Sequence, residues 1–317
     1  MNIPVLFCVF NRPHHTELTL KALKDNNVKH LYVCFDGPRK DNPIDIENCR
    51  RVKELIDNID WDCTVRCNIS PVNLGLKKRI VSGLNWFFGH VDKGIILEDD
   101  CLPNKDFFKF VSKMLKLYEH NEAIGSISGN YFGQDMENKN FSYSYSKYFH
   151  CWGWATWKNR WLGYRSDITF WPEYKLSQEF RGSFDDRVEL KHWTKIFDNV
   201  FEGKLNTWAY PWMLNQWFYN LLTVVPSVNL VSNIGFDSSG TNIKYSDGEL
   251  SKYPTSELKE IKSPPTVRQD KILDQSTFND TLGGKFLKFP NNVLNFIPRV
   301  FRAIIRRVKR FTNEKRN

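Results

Sequence analysis

Short apolar strands alternate with amphipathic helices over about the first 130 residues, and that rhythm leaves few folds open. Residues 3–10, 31–35, 64–69, 95–97 and 124–127 read as strands; residues 16–23, 44–59, 76–88 and 106–118 read as helices. Strict β/α alternation predicts an α/β fold: a doubly wound, mostly parallel sheet flanked by helices. No G-x-G-x-x-G follows the first strand and no G-x-x-x-x-G-K occurs. A dinucleotide oxidoreductase and a P-loop enzyme are thereby disfavoured.

The fourth predicted strand runs Ile95-Ile96-Leu97 straight into Glu98-Asp99-Asp100. Open α/β sheets place their ligand crevices at the carboxyl ends of strands. Three adjacent negative charges there repel one another, and a divalent cation relieves the repulsion. Hard oxygen donors suit Mg2+ or Mn2+, which in turn hold phosphates. A solvated acidic turn is the other reading, and the buried strand in front weighs against it.

The alternation stops near residue 130. Residues 133–147 are polar and predict a loop; residues 148–157 hold Cys151-Trp152-Gly153-Trp154, where the glycine allows close backbone approach at a binding wall. Residues 183–201 predict a charged amphipathic helix, 206–222 an aromatic helix and 223–231 a strand. Residues 233–241 form a Gly/Ser stretch that could fold over a ligand, and 243–284 read as a loosely ordered connector. The 24 Phe, 12 Tyr and 11 Trp suit either a core or the stacking of sugars and bases.

Net charge is +9, and its placement matters more than its size. Residues 285–317 hold ten lysines and arginines against one acid, Glu314; elsewhere acids and bases are equal in number. A neutral body argues against a nucleic-acid partner. From Arg299 onward, Val300, Phe301, Ile304, Ile305, Val308 and Phe311 share one helical face, with cations around the other. Such a helix lies in an anionic membrane interface and does not span it. No apolar run reaches the roughly 18 residues a spanning helix needs. No cysteine pair has zinc spacing, and Cys8, Cys34 and Cys101 sit in apolar company, as free thiols in a reducing compartment do. With Met1-Asn2 leading directly into a strand, the expectation is a cytoplasmic protein, peripheral on the inner face of the plasma membrane.

The order and spacing of Ile3-Pro4-Val5 through Asn11-Arg12, Asp36, the 76–88 helix, Glu98-Asp99-Asp100, Gly153-Trp154 and the 233–241 loop resemble GT-A-type glycosyltransferases. The nearer likeness is to bacterial family 2-like enzymes that build surface polysaccharides. A more distant one is to the Golgi N-acetylglucosaminyltransferase that initiates complex N-glycans. The resemblance covers residues 3 to about 242. It implies a nucleotide-sugar donor (UDP-sugar favoured), a divalent metal, a glycan or lipid-linked acceptor and inversion at the anomeric carbon. With the composition of the tail, the chain divides as 1–130 for the nucleotide sugar, 131–245 for the acceptor within the same catalytic domain, 246–290 as connector and 291–317 as membrane-associating helix.

The residue chemistry fits that donor. Asp36 can accept from a base imide or ribose hydroxyl, or, as a turn residue, from the amides that follow it. Arg12 can face base, ribose or phosphate. Lys78 or Arg79, opening a helix beside Lys77, can meet the diphosphate. Asp100 is the predicted metal ligand; Glu98 and Asp99 are placed on ribose, sugar or a metal-bound water, and Trp154 on the binding wall. Inverting transfer needs a carboxylate that takes the acceptor's proton. Relatives of this kind commonly place an Asp between two tryptophans, and here Ala209 stands there. Asp237 is the substitute, with Asp186 and Asp185 behind it. A non-catalytic sugar-binding protein and a sugar-phosphate nucleotidyltransferase are the rival readings.

Overall fold

The computed structural model describes residues 2–235 and 253–291. The predicted alternation is present as β1 (Val5–Val9), α1 (Pro13–Asp25), β2 (His30–Phe35), α2 (Pro43–Asp57), β3 (Thr64–Ile69), α3 (Leu76–Phe88), β4 (Lys93–Glu98), a short β5 (Cys101–Pro103), α4 (Lys105–Leu117) and β6 (Ile124–Ser128). Then come β7 (Tyr143–Ser146), β8 (Trp154–Trp157), α5 (Lys158–Trp161), α6 (Trp171–Tyr174), α7 (Gln178–Gly182), α8 (Arg187–Phe201), α9 (Ala209–Phe218), β9 (Leu222–Pro226), β10 (Val231–Asn233) and α10 (Lys271–Ser276).

The main sheet has the order β3-β2-β1-β4-β8-β6-β9-β7. The first four strands are parallel. β8 runs antiparallel between β4 and β6, and β7 antiparallel to β9 at the edge. β1 is buried along its whole length, as a parallel strand covered on both faces must be. Strand order advances from β1 to β3 on one side and resumes with β4 on the other. The switch point therefore lies between the ends of β1 and β4, where Cys8 and Glu98 are register partners.

The two faces differ in chemistry. One is aliphatic and phenylalanine-rich, packed by α1, α2 and α4. The other, under α3, α8 and α9, is an aromatic core of Trp154, Trp161, Trp171, Trp193 and Trp212. The aromatic surplus is thus mostly interior. Trp154 is 1% exposed, stacks on Trp208 at 5.7 Å and meets Phe149 edge-on at 4.9 Å. Its place on a binding wall is corrected: it is packing. Gly153 does make a close approach, but to Val231 and Leu97, at a φ of 69° that other residues rarely adopt.

Two sequence expectations change. Residues 143–146 form β7 inside the predicted loop, with Tyr143 and Tyr145 buried and their hydroxyls on that of Tyr118 at 2.6 and 2.7 Å. Residues 253–284 are docked and not loose. The Asp106 carboxylate accepts from the Leu258 amide, the Ser142 hydroxyl donates to the Glu260 carbonyl, and Asp270 accepts from the Glu137 amide and the Ser144 hydroxyl. Buried Asp274 accepts from Lys147 and Gln269. Buried carboxylates fasten this segment, so hydrophobic periodicity does not reveal it. No helix among the described residues is long and apolar enough to cross a membrane, and the predicted membrane helix at 291–317 lies, past residue 291, outside them. All seven cysteines are free thiols.

Trp154→Ala should cost about 3–5 kcal/mol in denaturant unfolding, the range for a buried Trp truncated to Ala. A variant as stable as the parent would return Trp154 to a solvent-facing wall.

Candidate active site

Arg12 leaves the end of β1 at the switch point and begins α1. Its Nη1 donates to Asp100 Oδ2 at 2.7 Å and to Asp99 Oδ1 at 3.2 Å, bridging the β1 and β4 strand ends. From the next turn of α1, the Thr19 hydroxyl donates to the Asp99 carbonyl at 2.9 Å. Burial works against the Arg12 charge, and Asp99 and Asp100 more than offset it, raising its pKa. Burial, and after it the charge of Asp100, pushes Glu98 up to about 8 and Asp99 up to about 7 against the pull of Arg12. The triplet is short of positive charge even with Arg12 in place.

The antiparallel β5–β10 ribbon closes one side. The Ile234 amide donates to the Asp100 carbonyl at 2.8 Å, and the Ile234 carbonyl meets His15 Nε2 at 3.1 Å. Gly235 then lies against Asp100: a Cβ there would sit 2.4 Å from Asp100 Oδ2. Cys151 is near enough to Glu98 and Asp100 that their charges add to burial in raising its thiol pKa. Ala209 is the first residue of α9.

Asp36, at the end of β2, is buried and accepts from the amides of Gly37, Leu74 and Gly75 and from Asn73 Nδ2, all within 3.1 Å. Burial raises its pKa against those donors. It is the turn Asp of the two readings, fixing the start of α3. A buried residue absent from the sequence reading, Asp45, staples the next two loops. It accepts from Asn11 Nδ2 at 2.7 Å, after β1, and from Arg39 Nη2 at 2.8 Å, after β2. The signal was present: Asp45, Cys49, Val52 and Ile56 share the inward face of α2, so a carboxylate stands in an apolar register.

The other sequence candidates are distributed as follows. Lys78 is exposed on the first turn of α3. Arg79 turns inward, is buried, and donates through Nη2 to the Asn68 carbonyl and, at 2.7 Å, to Asn68 Oδ1. It braces β3 and not a diphosphate. Asp186 caps α8 through the Val188 amide and pairs with Lys288 at 2.5 Å, while Asp185 pairs with Lys271 at 2.8 Å. Both acids are taken, and by lysines distant in sequence, not by Arg187 or Lys191. Asp237 lies outside the described residues.

Arg12, Glu98, Asp99 and Asp100 thus form one charged cluster at the switch point. Among the described residues no three carboxylate, thiol or imidazole groups converge into a closed metal cage. Mg2+ does not need one, since it takes one or two carboxylates and fills the rest with water and phosphate oxygens. Partly exposed Asp100, in a cluster short of positive charge, fits that donor set and would hold the ion.

No family profile matches the chain, and no curated protein is similar to it in sequence. Solved structures share parts of its architecture. An LgtC variant, the active-site mutant Q189E, aligns over 82% of this chain and 85% of its own at 11% identity and a TM-score of 0.37. The mannosyltransferase PcManGT from Pyrobaculum calidifontis, in complex with GDP-Man and Mn2+, aligns over 49% of this chain at 16% identity and a TM-score of 0.33; the chain spans 45% of that protein's length. HddC from Yersinia pseudotuberculosis, complexed with GMP-PN, aligns over 50% of this chain and 77% of its own at 12% identity and a TM-score of 0.32. Overlaps of this depth do not assign an activity, which has to come from the side chains.

Asp45→Ala should destabilise the protein by about 2 kcal/mol at neutral pH, because charged hydrogen bonds are lost around a buried position. Chiefly through Arg39, the Asp45 carboxyl is held below its ordinary range. Its contribution is present above the unfolded-state pKa and drains as pH falls through the lower folded-state value. Urea unfolding of parent and variant should therefore converge below about pH 4. A gap that stays constant with pH would overturn this assignment.

Proposed function

We propose that this chain is a GT-A-type glycosyltransferase. It moves a sugar, with inversion, from a nucleoside-diphosphate sugar (UDP-sugar favoured) to a glycan or lipid-linked acceptor in bacterial surface polysaccharide synthesis. The observation that carries the reading is the Arg12–Asp99–Asp100 cluster at the switch point of a mostly parallel sheet. A diphosphate brings negative charge and a need for cations to one end of a crevice. Arg12 supplies fixed donors there, and the first turn of α3 adds the cations Lys77 and Lys78. A divalent ion on Asp100 would offset the charge that builds on the departing nucleoside diphosphate. Asp36 and Asp45 hold the loops that shape the base and ribose end.

Asp237 is the proposed base, two residues beyond Gly235 in the chain. Gly235 packs against Asp100, so a carboxylate this soon after it in sequence suits removal of the acceptor hydroxyl's proton. The basic segment 291–317 is proposed to hold the protein on the inner face of the membrane, beside a lipid-linked acceptor. One feature favours a second reading, a non-catalytic sugar-binding protein: Ala209, at the start of α9, offers no proton acceptor. Turnover of donor in the presence of Mn2+ separates the two.

The direct test is a panel of sugar nucleotides screened for thermal stabilisation with and without Mn2+. The true donor at 100 times its Kd should add about 2.7 kcal/mol of stability. Asp100→Ala should abolish the Mn2+-dependent part of that shift and most transfer, and EDTA should inhibit the parent. Full activity in EDTA would remove the metal from the proposal. Asp237→Asn should slow transfer to acceptor by about 100-fold or more while donor binding survives. Transfer at the parental rate would send the search for a base elsewhere.

A further inference from the structure

α8 turns Glu189, Trp193, Phe197 and Val200 into the aromatic core. The opposite face carries Arg187, Lys191 and Lys195, one per turn, all exposed. The acids around them are engaged elsewhere: Asp185 with Lys271, Asp186 with Lys288 and Asp198 with Lys175. Three cations in a row are left facing solvent, beside an open trough lined by Leu190, Thr194 and Asp198.

A second feature adjoins this row. The turn at Gly284–Leu287 and the residues after it lie along α8, tied by the Lys288–Asp186 pair and by Phe278, whose ring meets His192 edge-on at 5.6 Å. Phe278 is fully buried, but Phe286, Leu287 and Phe289 are 53%, 42% and 82% exposed. They alternate with Lys285 and Lys288. Large apolar side chains held in water and rimmed by cations mark a contact surface, and nothing in the core accounts for their exposure. The combination of rings, an aliphatic chain and lysines matches the boundary between headgroups and acyl chains of an anionic bilayer. The chain also runs on from Asn291 into its most basic stretch.

We propose that the outer face of α8 and the 284–289 turn form a docking surface for an anionic phospholipid bilayer on the folded body itself, in addition to the C-terminal segment. Phe286, Leu287 and Phe289 enter the headgroup layer, and Arg187, Lys191 and Lys195 lie over lipid phosphates. The surface fixes how the body is turned toward the lipid, and it stands whether or not the glycosyltransferase reading does.

The test is sedimentation of the full-length protein with phosphatidylcholine vesicles containing about one-third phosphatidylglycerol, against pure phosphatidylcholine. The triple variant Arg187→Glu/Lys191→Glu/Lys195→Glu should bind the anionic vesicles more weakly by well over about 100-fold, since reversal exceeds the roughly 5-fold per cation that neutralisation costs. The pair Phe286→Ser/Phe289→Ser should lose about 10-fold. The three Lys/Arg→Gln changes, milder for the fold, should lose on the order of 100-fold, at about 5-fold per cation, with circular dichroism and melting temperature as in the parent. The C-terminal segment is the same throughout, so a loss belongs to this surface. Vesicle binding equal to the parent in all variants would overturn the proposal. So would parental binding to a single-stranded oligonucleotide that the variants lose while keeping vesicle binding.

Discussion

Three carboxylates at the end of one buried strand cannot all be ionised without a cation, and the architecture around β4 answers that constraint. Arg12 crosses from β1 to Asp99 and Asp100. Thr19 and Ile234 then fix the backbone carbonyls of the same two acids. Because one guanidinium nitrogen serves two acids on a neighbouring strand, the β1–β4 register and the crevice are set together.

The fold was legible because parallel strands buried on both faces must be continuous apolar runs, and β1, β2 and β4 are. The acid cluster was legible for the same reason: polar residues that interrupt such a run at its carboxyl end stand out. Less was legible where side chains do local work that resembles ligand chemistry. Asp36 has the position of a base-binding residue and the partners of a turn residue, and only the approach of Leu74 and Gly75, distant in sequence, decides between them. Arg79 sits among lysines in sequence, yet the helix turns it inward to Asn68. The role of Asp45 does not show in sequence because its partners, Asn11 and Arg39, lie on two separate loops.

The aromatic half teaches a related point. Tryptophan suits sugar stacking and core packing alike, and burial alone separates them. Trp154, Trp171, Trp193 and Trp212 are all within 1% of full burial. With neighbouring rings, their indoles pack one interior that runs from β8 through α8 to α9. Cys151 and Tyr210, at the margin of this interior, are only partly buried.

The late segment that covers β7 has a consequence for how the chain is made. β7 is an edge strand, and its open side is taken by residues more than 100 positions on: the Ser142 amide donates to the Lys262 carbonyl, and the Asp270 amide to the Tyr145 carbonyl. During synthesis the sheet is complete well before these partners leave the ribosome. For that interval the nascent protein presents an unpaired strand edge, flanked by serine hydroxyls waiting for Asp270 and Asp274. Open edges of this kind pair with other chains. The exposure ends when residues 262–274 arrive and bond along β7.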